Sequence, residues 1–429
     1  MNILIKNTTL ITMNDKKDVM ENVDVAIEKD KIIYIGYIED DFIPDEVLDG
    51  TNKVTMPGLI NTHTHIPMSL FRNYADDLPF WEWLHERILP LEKNLTGDHV
   101  YWGSMLSIAE MIKSGITSFV DMYFFVDDIA RAVEETGIRG FLALSVTDGE
   151  GDREDSLSKI EEFIKNWDNQ ANGRINVRIA PHAPYSCSDD FLKELTNLSI
   201  RYDKGINIHV SESEKEIEDS FERYGKSPVQ RLNDLGLLDA STLAVHCVYL
   251  SNHDIEIFKE KNISVSNNPG SNLKLGNGFA RISDLLDSGI NVCLGTDGSA
   301  SNNNLNMFEE MNLASLINKG LTENPECVPA YKALEMATIN GARAIGKESE
   351  IGSIEIGKKA DIIMIDLNKP HFYPRYNVVA SLVYSAQASD VDTVIANGEI
   401  LMKNGKLLTI DLEDVMTNAE IKAKDLLVN

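Results

Sequence analysis

From about residue 58 to residue 345 the chain repeats one pattern eight times: a short apolar run, then an amphipathic stretch. The runs fall at 58–61, 118–122, 140–145, 176–180, 205–209, 243–246, 264–267 and 292–296, and each reads as a strand. The stretches between them, for example 99–114, 127–136, 189–201 and 253–260, carry helical periodicity. Eight β/α alternations over roughly 280 residues favour an α/β fold with a (β/α)8 barrel over a doubly wound sheet. Outside this span the texture differs. Residues 2–6, 24–27 and 31–35 are β-rich, residues 352–366 read as a turn and a strand, and 391–396 and 399–402 flank an Asn397-Gly398 hairpin turn. A last amphipathic helix is expected over 411–427. The terminal segments 1–57 and 346–429 are therefore expected to pair into one small, sandwich-like β-domain beside a barrel at 58–345.

Composition narrows the partners. The 429 residues carry a formal net charge of -28, which argues against nucleic acid or an anionic membrane surface. No run of eighteen apolar residues is present, and residues 1–10 lack the pattern of a secretory leader. Cys187, Cys247, Cys293 and Cys327 form no Cys-x-x-Cys pair. Reduced thiols and a cytoplasmic location are the expectation, with Cys247 and Cys293 as core residues. A homo-oligomer remains open.

In a (β/α)8 barrel the polar residues at the C-terminal ends of the strands build the active site. The first strand runs into His63-Thr64-His65, and side chains two apart on a strand point the same way. The fifth strand ends in His209, with Glu212 three residues on; the sixth ends in His246, and the eighth in Asp297. A histidine closing an apolar run is costly unless it has a partner. His63, His65, His209 and Asp297 are the expected ligands of one divalent metal ion, Zn²⁺ first and Fe²⁺ as the alternative. Water in the open position would be acidified toward a pKa of ~7. Glu212 is then the candidate proton shuttle, and His246 the group that orients the water or polarises the substrate. A second metal would want a bridging lysine at the end of strand four. His182 stands there instead, between Pro181 and Pro184, so one metal is favoured.

These residues, in this order, resemble the amidohydrolase superfamily over nearly the whole chain. The matching stretches are Pro57-Gly58-Leu59-Ile60-Asn61 leading to His63 and His65, Asn268-Pro269-Gly270-Ser271-Asn272, Gly295-Thr296-Asp297-Gly298-Ser299, and Gly352-Ser353-Ile354 leading to Ala360-Asp361. The segment from His65 through Trp81-Glu82-Trp83 to Glu92 is similar to the 5-methylthioadenosine/S-adenosylhomocysteine deaminases. That resemblance implies metal ligands at His63, His65, His209 and Asp297, a catalytic carboxylate at Glu212 and a water-orienting His246. It also implies that Glu92 grips the ribose hydroxyls and that His182 contacts the nucleoside. Trp83 is the aromatic residue expected to stack on the base or cover the substrate's tail. Where relatives carry an arginine after the third strand, this chain reads Ser145-Val146-Thr147. Arg153 is the nearby substitute, and recognition of the homocysteine carboxylate is in question. The implied activity is hydrolytic deamination at C6 of a small-molecule adenine nucleoside. Amino- or chlorohydrolysis of guanine, cytosine or a triazine stands as the alternative, and a non-catalytic barrel scaffold as the remote one.

Overall fold

The computed structural model describes residues 1–38, 42–148 and 153–428. Eight strand positions follow one another with helices between them, and we label them β1 to β8: β1 Leu59–Thr64, β2 Ile116–Tyr123, β3 Arg139–Val146, β4 as two short pieces, Ile175–Val177 and Ala180–Pro181, β5 Ile206–Val210, β6 Thr242–His246, β7 Ser264–Asn267 and β8 Asn291–Leu294. All neighbouring pairs are parallel, in two sheets, β1 to β4 and β5 to β8. One seam between the sheets carries a parallel bridge between Ile179 and Ile206, and the His209 amide donates to the His182 carbonyl at 3.1 Å. At the other, Thr62 Oγ1 donates to the Leu294 carbonyl (2.8 Å) and the Asp297 amide to the His63 carbonyl (2.9 Å). The architecture is of the (β/α)8-barrel type.

The strands are buried along their length because helices cover them, which explains their continuous apolar runs. The helices Gly97–Lys113, Val126–Thr136, Asp189–Tyr202 and Asn252–Glu260 lie where periodicity places them. Ser188 and Ser251 cap the last two by accepting the backbone N–H of Phe191 and Asp254. A buried apolar cluster that includes Ile60, Val120, Phe141, Leu243 and Ile339 plugs the N-terminal end of the barrel.

The terminal strands form one nine-stranded mixed sheet. Its order runs Lys406–Leu407, Glu399–Lys403, Val391–Ala396, Ile362–Asp366, Lys53–Pro57, Asn2–Ile11, Val19–Glu28 and Lys31–Gly36, with Glu46–Asp49 pairing beside Asn2–Ile11. Asn397 (φ 50°) and Gly398 (φ 76°) make the tight turn that their sequence signals. Ile3, Ile5, Val25, Ile27, Ile362 and Ile395 belong to an apolar cluster of its own. The C-terminal helix Leu412–Val428 packs against Gly97–Lys113 of the barrel. No helix among the described residues is long and apolar enough to cross a membrane.

The sheet is tied to the barrel by one buried ion pair. Arg139, the first residue of β3, donates from Nε and Nη2 to the two carboxylate oxygens of Asp361, at 2.9 and 3.1 Å. Asp361 also accepts the Asn397 amide, and its carbonyl accepts the Gly58 amide just before β1. Removing one partner of such a pair leaves an uncompensated buried charge. Asp361→Ala is therefore expected to lower the unfolding free energy by about 3–5 kcal/mol, read from urea denaturation as a lower midpoint at unchanged slope.

Candidate active site

At the C-terminal end of the barrel the side chains expected from the strand ends converge. His63 and His65 leave β1 with ring centroids 4.8 Å apart, and His209 from β5 lies 4.9 Å from His63. His246, at the end of β6, lies 5.4 Å from His63 and 5.5 Å from His209. Asp297 follows β8, with Oδ1 3.3 Å from His63 Nε2 and 3.4 Å from His65 Nε2. Close backbone approach makes this possible. A Cβ on Gly295 would sit 2.8 Å from the His63 amide nitrogen and 2.5 Å from Asn268 Oδ1. Ser211, His246 and Asp297, at or just beyond three strand ends, all take left-handed φ values of 54°, 69° and 63°. Such strained backbone is tolerated where a site over-determines it.

Hydrogen bonds on the outer sides of the rings fix which nitrogen faces inward. His65 Nδ1 donates to the Met122 carbonyl and His209 Nδ1 to the His182 carbonyl, both at 2.7 Å. Each Nε2 therefore carries a free lone pair. His63 Nε2 is buried with no hydrogen-bond partner. Burial pushes His63 down to about 3, holds His209 well below its ordinary value and lowers His246, so these rings are neutral at pH 7. Burial works against ionisation of Asp297, yet the nearness of His63, and of His65 and His246, holds it well below the usual carboxylate range. Its Oδ2 accepts hydroxyl donors from Ser271 (2.7 Å) and Ser301 (2.8 Å). Neutral imidazoles with inward lone pairs beside an ionised carboxylate are the donor set of a divalent metal ion, and the orphaned His63 nitrogen is satisfied by one. Two overlapping groups of ligand atoms lie within 4.8 Å of one another: His63, His65 and Asp297, and His63, His209 and His246.

Glu212 sits beside this cluster, its Oε2 3.7 Å from His246 Nε2. Burial, and then the charge of Asp297, raise its carboxyl well above the ordinary value, while Asn277 opposes them by donating to Oε1 at 3.0 Å. The two carboxylates of the site are thus driven in opposite directions. One stays an anion, and the other readily holds a proton.

A cavity of about 460 Å³ opens over the cluster. Its polar wall includes Glu92, Tyr123, His182, Glu212, His246 and Asp297. Its apolar wall includes Met68, Phe80, Trp83, Leu84, Leu89 and Phe124. Glu92 and Trp83 reach it from a helical run over 80–92 whose middle, Trp83–Ile88, is π-helical. Pro90 lacks the N–H that would bond the Glu86 carbonyl, and the turn before it widens. Trp83 lines the cavity and Trp81 does not. His182 lines it with Nδ1 3.0 Å from Ser186 Oγ. Arg153 opens the helix Arg153–Trp167, donates to Asp148 (2.7 Å) and Ser188 (2.9 Å), and is not among the residues lining the cavity.

Sequence reasoning overlooked four residues here. Tyr123 Oη donates to Glu92 Oε1 at 2.6 Å. Asp121 accepts Thr64 Oγ1 (2.9 Å) and the Ile66 amide (2.7 Å), pinning the chain around His65. Both stand at the end of β2 and answer to the same strand-end rule. Asn277 and Glu216 had no readable signal. Glu216 lies on an acidic helix, yet it is buried, and its two carboxylate oxygens accept the amides of Ser211 (3.0 Å) and Glu212 (2.9 Å).

Comparison with known proteins places the chain among relatives. The profile of the Amidohydrolase family matches residues 54–401. The chain is 54% identical to a 5-methylthioadenosine/S-adenosylhomocysteine deaminase of Thermoanaerobacter pseudethanolicus over 430 residues, covering 100% of both chains. It is 46% identical to a 5'-deoxyadenosine deaminase of Methanosarcina acetivorans, covering 99% of this chain and 98% of that one. Among solved structures, an adenosine deaminase from Xanthomonas campestris with bound zinc is similar at a TM-score of 0.96 and 32% identity, over 100% of this chain and 99% of that one.

The geometry makes Glu216 the residue that sets the backbone at Glu212. Glu216→Ala leaves two buried N–H groups without an acceptor. It is expected to lower the unfolding free energy by about 1–3 kcal/mol for each, measured by urea denaturation.

Proposed function

Because the chain belongs to the amidohydrolase family, we propose that it is a metal-dependent aminohydrolase that deaminates an adenine nucleoside at C6, releasing ammonia and the inosine derivative. The observation that carries this is one cavity over the imidazole–carboxylate cluster that is lined by Glu212 and by the Tyr123–Glu92 pair. The relatives named above support it. In this reading His63, His65, His209 and Asp297 hold a single ion, Zn²⁺ by its preference for nitrogen and carboxylate donors. When bound, the ion lowers the pKa of a coordinated water toward ~7.

The protein's own residues do the rest. Glu212 takes one proton from the attacking water and delivers it to N1 of the base, which makes C6 electrophilic. Its raised affinity for a proton suits both halves of that transfer. As the C6–oxygen bond forms, His246 orients the attacking oxygen. Its ring is fixed at the other edge, where Nδ1 donates to Asn272 Oδ1 at 2.9 Å and Asn268 Nδ2 stands at 3.3 Å. Asp297 accepts the second proton of the water and passes it to the amino group, and the C6–nitrogen bond breaks to release ammonia. Glu92, oriented by Tyr123, accepts the vicinal ribose hydroxyls, and His182 contacts the nucleoside beside it. Trp83 covers the base or the 5'-substituent within the apolar wall.

The same wall speaks to the substrate's tail. No lysine or arginine lines the cavity among the described residues. Arg153 is engaged by Asp148 and Ser188, and serves a charged tail only by leaving them. An uncharged 5'-group, as in methylthioadenosine or a 5'-deoxynucleoside, fits this wall better than the amino-acid tail of S-adenosylhomocysteine. Residues 1–57 and 346–429 act as the smaller β-domain that supports the barrel at 58–345. The four buried free thiols suit a reducing cytoplasm.

An ultraviolet assay over methylthioadenosine, S-adenosylhomocysteine, adenosine, guanine and cytosine tests the reading. Turnover of the adenine nucleosides, methylthioadenosine above S-adenosylhomocysteine in kcat/KM, is expected; turnover of free bases alone would overturn it. Glu212→Gln should retain stoichiometric metal by elemental analysis while kcat falls by about 10²–10⁴-fold. Near-normal turnover in that variant would remove Glu212 from proton transfer.

A further inference from the structure

The opposite end of the barrel holds a charge that deamination does not use. Arg178, between the two pieces of β4, is only 5% exposed. Its Nε donates to Asn207 Oδ1 (2.6 Å) and its Nη2 to the Ile206 carbonyl (3.2 Å). Nη1 has no partner among the described residues. The contrast with Arg139 is direct, since that equally buried guanidinium is met by both oxygens of Asp361. Burial pushes Arg178 down to about 10, and the one group acting against this is the Cys293 thiol, not a carboxylate. A buried cation without a counter-charge is costly to keep.

The space beside it is polar and roomy. Arg178 lines a cavity of about 550 Å³ at the N-terminal ends of β4, β5 and β6. Gly205 forms part of the wall, and a Cβ there would lie 2.5 Å from both Nη1 and Nη2, so the missing side chain leaves room for the guanidinium. The other charges of the wall are largely spoken for. Lys204 pairs with Asp168 at 2.6 Å, and Asp239 pairs with Lys261 at 2.5 Å. Lys347 stands on the wall beside Gly346, 2.8 Å from Glu350, and Asp203 is the remaining acid. Arg178 is the cation left without a carboxylate partner, and Asp203 is the one acid of the wall outside these pairs.

We propose that this cavity binds a small tetrahedral oxyanion, of the phosphate or sulfate class, through Arg178 Nη1, with Lys347 drawing it in. Guanidinium groups suit such oxygens because their N–H donors lie in one plane. The site is separate from the catalytic cavity, with which it shares no lining residue.

Isothermal titration of the metal-loaded full-length chain with inorganic phosphate, at constant ionic strength, tests this. Saturable binding of one phosphate per chain is expected, lost in Arg178→Gln and weakened about tenfold in Lys347→Glu. Absence of saturable binding to the unmodified protein would overturn the proposal. So would binding that both substitutions leave intact, because phosphate would then sit on the catalytic metal. If Arg178→Gln does not fold, Lys347→Glu, which changes only a partly exposed wall residue, decides alone.

Discussion

His63, His209 and His246, held neutral by burial, share the C-terminal end of a barrel with the ionised Asp297, and the arrangement around them follows from that crowding. Inward-facing lone pairs beside an anion repel one another, and His63 Nε2 has no protein donor to meet it. A divalent cation resolves both problems at once. The seam between β8 and β1 must be tight for this to work. Asp297 hydrogen-bonds through its backbone to His63, and Gly295 lets the two strands approach where any side chain would collide.

The opposed proton affinities of Glu212 and Asp297 turn this cluster into a site with a direction. Asp297 lies well below the usual carboxylate range, and its Oδ2 accepts two serine hydroxyls. Glu212, lining the same cavity, is pushed toward its protonated form by burial and by that same anion. One carboxylate that rests as an anion and one that readily holds a proton form a pair suited to acid–base chemistry at neutral pH. Behind them, Glu216 and Asn277 hold the backbone and side chain of Glu212. The terminal sheet contributes at a distance, through the Arg139–Asp361 pair at the base of β3.

What was legible in the sequence follows from physics that leaves a local mark. A histidine or aspartate closing an apolar run stands out, so His63, His65, His209, His246 and Asp297 could be placed together before any coordinates. The Asn397-Gly398 turn was readable for the same reason. Asp121 and Tyr123 carried the same mark at the end of β2, and a uniform reading of every strand end would have found them. Glu216 and Asn277 carried none. Glu216 differs from its solvated acidic neighbours only in tertiary burial, and Asn277 sits in a loop whose path is set by packing. Residues 292–296 read as one strand, but β8 stops at Leu294. Gly295 and Thr296 turn toward His63 and Asn61 instead. Arg153, expected to substitute for the arginine missing after the third strand, starts a helix and is held by Asp148.

The central claim is that one ion lies among His63, His65, His209 and Asp297, leaving Glu212 and His246 free for the substrate. Anomalous X-ray diffraction at the metal edge, on crystals of the metal-loaded protein, tests it most directly. The account predicts one ion at about 2.0–2.2 Å from Nε2 of the three histidines and from a carboxylate oxygen of Asp297. An ion held instead by His63, His209 and His246 with Asp297 uncoordinated, or a second ion in the same cavity, would contradict it.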